Sequence, residues 1–218
     1  MALGTEPVEV PMFPLESAFL PGDDLPLRIF EPRYVALVRD CMREDDPCFG
    51  VVLISRGREV GGGDTRCDVG ALAGIVQCID LGADRYGLRC RVGERIRVCD
   101  WLPDDPYPRA VVQVWPDEPG DPVSEIQLRE LEDRVVALFE RVATARGAPP
   151  ADRETVLGYG EHGPRDVGER LYALASRLPI GPADRYAVLS APSAAQRLAA
   201  LGDAVDSVTA MVEFQLSE

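Results

Sequence analysis

The hydrophobic pattern of this chain changes period near residue 120. Before that point apolar residues fall in short runs, alternating or continuous, separated by Gly, Pro and Asp, which is the pattern of strands and turns. Phe49-Gly50-Val51-Val52-Leu53-Ile54 reads as a buried strand, and Arg56–Gly70, with Gly61-Gly62-Gly63 inside it, as a turn-rich loop. Gly74–Leu81 and Arg85–Val92 flank a Gly-Ala-Asp turn and predict a half-buried hairpin, with Leu88, Cys90 and Val92 on one face and Arg89 and Arg91 on the other. After a turn at Gly93-Glu94, Arg95 and Arg97 alternate with Ile96 and Val98, and Ala110–Trp115 is a further strand. The Arg89, Arg91, Arg95 and Arg97 stripe is expected to be a solvated face paired with nearby carboxylates. One helix interrupts this half: Tyr34, Leu37, Val38, Cys41 and Met42 follow helical spacing from Pro32 until Asp45-Asp46-Pro47.

Asp117-Glu118-Pro119-Gly120-Asp121-Pro122 is a linker by composition, and helical spacing takes over behind it. Ser124 with Gln127 forms a capping box ahead of Leu128, Leu131, Val135, Leu138 and Val142, and Gly147 stops that helix. Asp166 with Glu169 opens a second helix, Pro182 a third, and Ser193 with Gln196 a last one carrying Leu198, Leu201, Val205, Val208 and Val212. The expected architecture is α+β: a β-rich domain over residues 1–120 with one helix, then a compact bundle of four amphipathic helices over 121–218.

Composition narrows the chemistry. The 23 basic residues are all Arg, and with 37 Asp plus Glu the net charge is −14. Without Lys there is no Ser-Lys dyad, Schiff-base lysine or Walker A loop, and without Asn no Cys-His-Asn catalysis. Such acidity argues against nucleic acid and anionic membranes as partners, because both are bound by neutralising phosphate. No stretch approaches the length of a membrane span, and Met1–Val10 lacks the features of a secretory signal, so a cytoplasmic protein is expected. The six cysteines include no Cys-x-x-Cys pair and the single histidine, His162, is distant from them, so neither metal nor cofactor is expected. If the hairpin turn centres on Asp84, Cys78 and Cys90 face each other and a cross-strand disulfide becomes possible.

The most informative segment runs Phe13-Pro14-Leu15-Glu16-Ser17-Ala18-Phe19-Leu20-Pro21-Gly22 and then Leu25-Pro26-Leu27-Arg28-Ile29-Phe30-Glu31-Pro32-Arg33-Tyr34. Four prolines force it into extended geometry, Leu27, Ile29 and Phe30 anchor a strand, and Glu31-Pro32 opens the helix. In this order the motif resembles the N-terminal substrate-recognition domain of the Lon ATP-dependent proteases. Cys48–Val52, Val69–Ala73, Arg85–Val98 and Pro106–Ala110 continue the likeness over about residues 10–118, and Leu178-Pro179, Ala191-Pro192 and Gln196-Arg197-Leu198 extend it into the helices. Ala71, where the family often has Thr, and the Ala83-Asp84-Arg85-Tyr86-Gly87 turn depart from its pattern.

The resemblance implies a twisted, barrel-like β unit that holds unfolded or tagged polypeptide, in a stand-alone member without ATPase or protease modules. Its expected contacts are Phe13, Phe30, Glu31, Arg33, Tyr34 and Tyr107, with a groove between the two domains as the natural place for a polypeptide or protein partner. Two alternatives stand beside it. One is a small hydrolase using His162, in Gly158–Pro164, or a reactive Cys; the other is a redox-responsive protein using Cys78 and Cys90.

Overall fold

The computed structural model describes residues 6–57, 65–159 and 166–217. Gly61-Gly62-Gly63 and His162 lie outside the described residues. The chain divides into two compact units, Met1–Pro116 and Asp117–Glu218.

The first unit contains β1 (Val8–Leu15), β2 (Asp24–Ile29), α1 (Pro32–Cys41), β3 (Cys48–Arg56), β4 (Thr65–Asp80), β5 (Tyr86–Leu102) and β6 (Arg109–Val114). The sheet order is β2-β5-β4-β3-β1-β6, and β5 also pairs with β6. That last pairing closes β1, β3, β4, β5 and β6 into a ring, with β2 attached outside it to the first half of β5. All pairings are antiparallel except β1 with β3.

Side-chain alternation gives this curled sheet two cores. Val10, Met12, Val52, Leu72, Ile96, Val98, Ala110 and Val112, drawn from all five ring strands, pack into one cluster. Phe13, Leu15, Phe49, Val51, Ala71 and Ala73, one residue out of phase, pack into the other with Tyr34, Val35, Leu37 and Val38 of α1. β1 from Val10 on, most of β3 and the Val69–Ala73 part of β4 are therefore buried on both faces, which explains the unbroken apolar run of β3. The crowding is closest at Gly70, where a Cβ atom would lie 2.2 Å from the backbone oxygen of Val51.

Bulges account for several departures from the sequence pattern. Between Ala71↔Arg95 and Ala73↔Val92, β5 carries one extra residue, so Gly93-Glu94 is a bulge in a continuous strand and not a turn. On the stripe beyond it, Arg95 is buried rather than solvated: its Nε donates to the Trp115 oxygen at 3.0 Å, and the Trp115 ring lies 4.0 Å from its guanidinium and 3.7 Å from that of Arg97. Arg91 keeps the expected exposed pairing, 3.1 Å from Asp24. The hairpin turn centres on Ala83, with positive φ at Gly82, Ala83 and Asp84, so Cys78 faces Leu88 and Cys90 faces Ile75. Cys78 and Cys90 are thus not directly paired across the strands, and both are thiols. β4 begins at Thr65, inside the stretch expected to be loop, and α1 ends at Cys41, beyond which the Arg43 and Glu44 N–H groups close tighter turns onto the Asp40 and Cys41 oxygens.

The second unit contains α2 (Glu125–Ala145), α3 (Arg153–Leu157), α4 (Val167–Arg177), α5 (Pro182–Ser190) and α6 (Ala194–Ser217). At the N-termini of α2, α3 and α4 the Ser124 side chain accepts from the Gln127 N–H, Asp152 from the Thr155 N–H and Asp166 from the Glu169 N–H. Short α3 is the helix that the hydrophobic period misses, since its five residues are less than two turns. Among the described residues of this unit two charged side chains are buried. Glu132, 4% exposed, accepts from Arg170 at 2.7 Å, Tyr159 at 2.8 Å and Arg153 at 3.0 Å. Arg197, 1% exposed, forks onto Asp117 at 2.8 and 2.5 Å and stacks 4.1 Å from the Tyr172 ring. Each buried charge thus has an opposite charge and hydrogen bonds, the condition under which burial is tolerated.

Replacing Gly70 by Ala should lower stability by about 1–3 kcal/mol, the usual cost of overpacking. Urea unfolding checks this, and an unchanged midpoint would show that β3 and β4 are not in the close approach described.

Candidate functional site

At the point where β2 passes into α1, Glu31 is extended (φ −74°, ψ 135°) and Pro32 takes the first helical position. Pro32 suits it because it lacks the N–H that a first turn leaves without an intrahelical partner. The helix starts with Tyr34 and Val35 N–H groups donating to the Glu31 oxygen at 3.0 and 2.9 Å. This places Tyr34 against Phe13 of β1, ring centroids 4.0 Å apart and planes 21° apart, with Phe49 5.9 Å from Phe13.

A cleft of about 170 Å³ opens here, lined by Phe13, Leu15, Pro26, Leu27, Arg28, Ile29, Phe30, Glu31 and Tyr34. Its walls come from the last residues of β1 and from β2, two strands that do not pair with each other. Its rim is charged: Arg33 Nε lies 3.2 Å from Glu31, and the Arg33 guanidinium sits 4.5 Å above the Tyr34 ring. Phe30 does not anchor β2, because it is 61% exposed and stands at the mouth.

Of the six contacts expected from sequence, Phe13, Phe30, Glu31 and Tyr34 line this cleft and Arg33 stacks on its edge. Tyr107 is elsewhere in the same core, buried, with its hydroxyl donating to Asp40 of α1 at 2.8 Å. Burial, and then the Asp40 carboxylate, push the Tyr107 hydroxyl up to about 12. Its role in the geometry is to hold α1, and with it Tyr34, in place. Leu15, Pro26, Leu27, Arg28 and Ile29 also line the cleft without being among those six; the sequence signal for them is that the Pro-rich strand runs directly into the helix.

Burial pushes the Cys41 and Cys90 thiols up to about 12, so both are protonated at neutral pH. Among the described residues no group of three or more His, Cys, Asp or Glu is arranged to hold a metal, and no helix is long and apolar enough to cross a membrane.

The family model for the ATP-dependent protease La (LON) substrate-binding domain matches residues 9–207. This chain belongs to the LON substrate-binding domain family. The LON domain is 31% identical over 146 residues to Lon protease 2 of Myxococcus xanthus, covering 64% of this chain and 18% of that protein. It is 29% identical over 146 residues to Lon protease of Anaeromyxobacter dehalogenans (strain 2CP-C), covering 64% of this chain and 17% of that one. The chain thus spans less than a fifth of the length of either relative. A crystal structure of a Lon N-terminal domain protein from Xanthomonas campestris superimposes with a TM-score of 0.62 at 26% identity, covering 89% of this chain and 96% of that one.

A Tyr107→Phe variant isolates the anchor of α1. Because folding raises this hydroxyl from 10.0 to about 12, its contribution is complete below pH 10, is lost as pH rises toward 12, and is absent from the variant. Urea midpoints across that window should therefore fall less steeply for Tyr107→Phe than for the unaltered chain. Parallel slopes would contradict the Tyr107–Asp40 assignment.

Proposed function

We propose that this LON domain is a non-catalytic module that holds unfolded or tagged polypeptide, with an apolar side chain of the bound segment seated in the cleft between β1 and β2. The observation that carries the reading is the size and lining of that cleft. Small-molecule sites usually enclose about 300–1,000 Å³. At about 170 Å³ this one suits a single large side chain of a longer molecule. Phe13, Leu15, Leu27, Ile29 and Phe30 supply apolar contact, while Glu31, Arg28 and Arg33 offer polar partners to the flanking backbone.

Charge supports polypeptide over nucleic acid as the partner, since at −14 the chain repels phosphate. Catalysis of the Ser-Lys kind has no Lys to draw on. The protonated thiols of Cys41 and Cys90 weigh against a cysteine hydrolase built on either of them. A cytoplasmic setting fits a chain whose cysteines are thiols.

The test is fluorescence anisotropy with a labelled, carboxymethylated protein that cannot refold. Binding should saturate, and Phe30→Ser, at an exposed position where the fold is not at stake, should weaken it by about fivefold to tenfold, the loss expected on truncating an interface anchor. Equal affinity of the variant and the unaltered chain would remove the cleft from the account, and an absence of saturable binding would remove the function.

A further inference from the structure

A second feature of the first unit is built to meet an extended chain. β4 runs to Asp80, yet β3 accompanies it only as far as Gly74. The Ile75 N–H donates to the Pro47 oxygen at 2.8 Å, and beyond it β4 pairs with β5 alone among the described residues. The Leu81 N–H donates to the Arg85 oxygen at 2.9 Å, which sets the phase of the ladder. Ile79 and Gln77 therefore turn their backbone groups toward β5, while Cys78 and Asp80 turn theirs to the open side.

Open edges are usually protected by Pro, Lys or inward charge. β2, at the other end of the sheet order, has Pro26 within it. The β4 overhang, Ile75-Val76-Gln77-Cys78-Ile79, contains no Pro and no charge. Apolar side chains there and just beyond it are open to solvent, Val76 69% exposed, Ile79 47% and Leu81 51%, with exposed Gln77 beside them. A bulge at Val76, where β4 carries an extra residue between Ile75↔Cys90 and Gln77↔Arg89, turns both Val76 and Gln77 to this face.

We propose that the Val76–Asp80 edge of β4 is a docking strip for an extended polypeptide segment, apolar at alternate residues and flanked by basic ones. The backbone groups of Cys78 and Asp80 would pair with the segment as an added strand, and Val76, Ile79 and Leu81 would pack on its side chains. Charge decides between a foreign segment and a second copy of this chain. Exposed Glu44, Asp45 and Asp46 precede Pro47 at one end of the strip, and Asp80 closes the other. Antiparallel pairing of two copies would bring Asp80 of each toward the acidic loop of the other, in chains that each carry −14. A segment ending in Lys or Arg meets the same carboxylates with opposite charge. The strip shares no residue with the β1–β2 cleft, so this inference does not depend on the cleft binding anything.

The probe is a short fluorescein-labelled peptide alternating valine and threonine between terminal lysines, titrated onto the full chain. Saturable binding is expected, weakened at least tenfold when alternate amides of the probe are N-methylated and weakened similarly by Val76→Lys with Ile79→Lys. Both substitutions are at exposed positions, and matching circular dichroism and melting would verify their fold. Phe30→Ser should leave this affinity unchanged, which separates the strip from the cleft. The proposal is overturned if the probe does not bind, if N-methylation or the double substitution has no effect, or if sedimentation velocity shows that the strip instead joins copies of the chain.

Discussion

The constraint on which the first unit depends is that β1, β3 and the Val69–Ala73 part of β4 must hide both of their faces. Closing the ring through the β5–β6 pairing buries one face around Met12, Val52, Leu72 and Ile96. The other face, with Phe13, Phe49, Val51 and Ala71, would be left in water without α1. Stacking of Tyr34 on Phe13 at 4.0 Å and the Tyr107–Asp40 hydrogen bond at 2.8 Å hold that helix down. The short route from β2 into α1 through Glu31-Pro32 then places Phe30 outside the core, beside a seam where β1 and β2 do not pair. The cleft is thus a by-product of how the second core is sealed, and its lining residues serve both purposes.

Much of this was legible in the sequence because it rests on local chemistry. Caps at Ser124, Asp166 and Ser193, the Pro32 helix start and the linker before residue 122 are short-range signals, and the corresponding helices begin beside them. What escaped was set by long-range pairing. Hairpin register depends on three successive positive-φ residues at Gly82, Ala83 and Asp84, and a one-residue change in the turn centre moves Cys78 from Cys90 to Leu88. Gly93-Glu94 has the composition of a turn, but its neighbours remain paired with β4 on both sides. Arg95 looked like a surface residue by alternation; Trp115, twenty positions later, covers it. In the same way Glu132 and Arg197 sit among helical apolar stripes with nothing nearby in sequence to mark their partners, Arg170 and Asp117.

Most of the segment singled out by the resemblance lines one cleft, and its residues differ in what they touch there. Phe30 is available to a partner, Phe13 and Tyr34 are shared between core and cleft, and Tyr107 acts through the position of α1. Membership of the LON substrate-binding domain family gives the cleft its context.

Hydrogen–deuterium exchange of the chain with and without a saturating carboxymethylated, permanently unfolded protein tests this most directly. The account predicts slowed exchange across residues 25–35 and at the end of β1, where the cleft lies. Unchanged exchange in those segments while the unfolded protein is bound would contradict it.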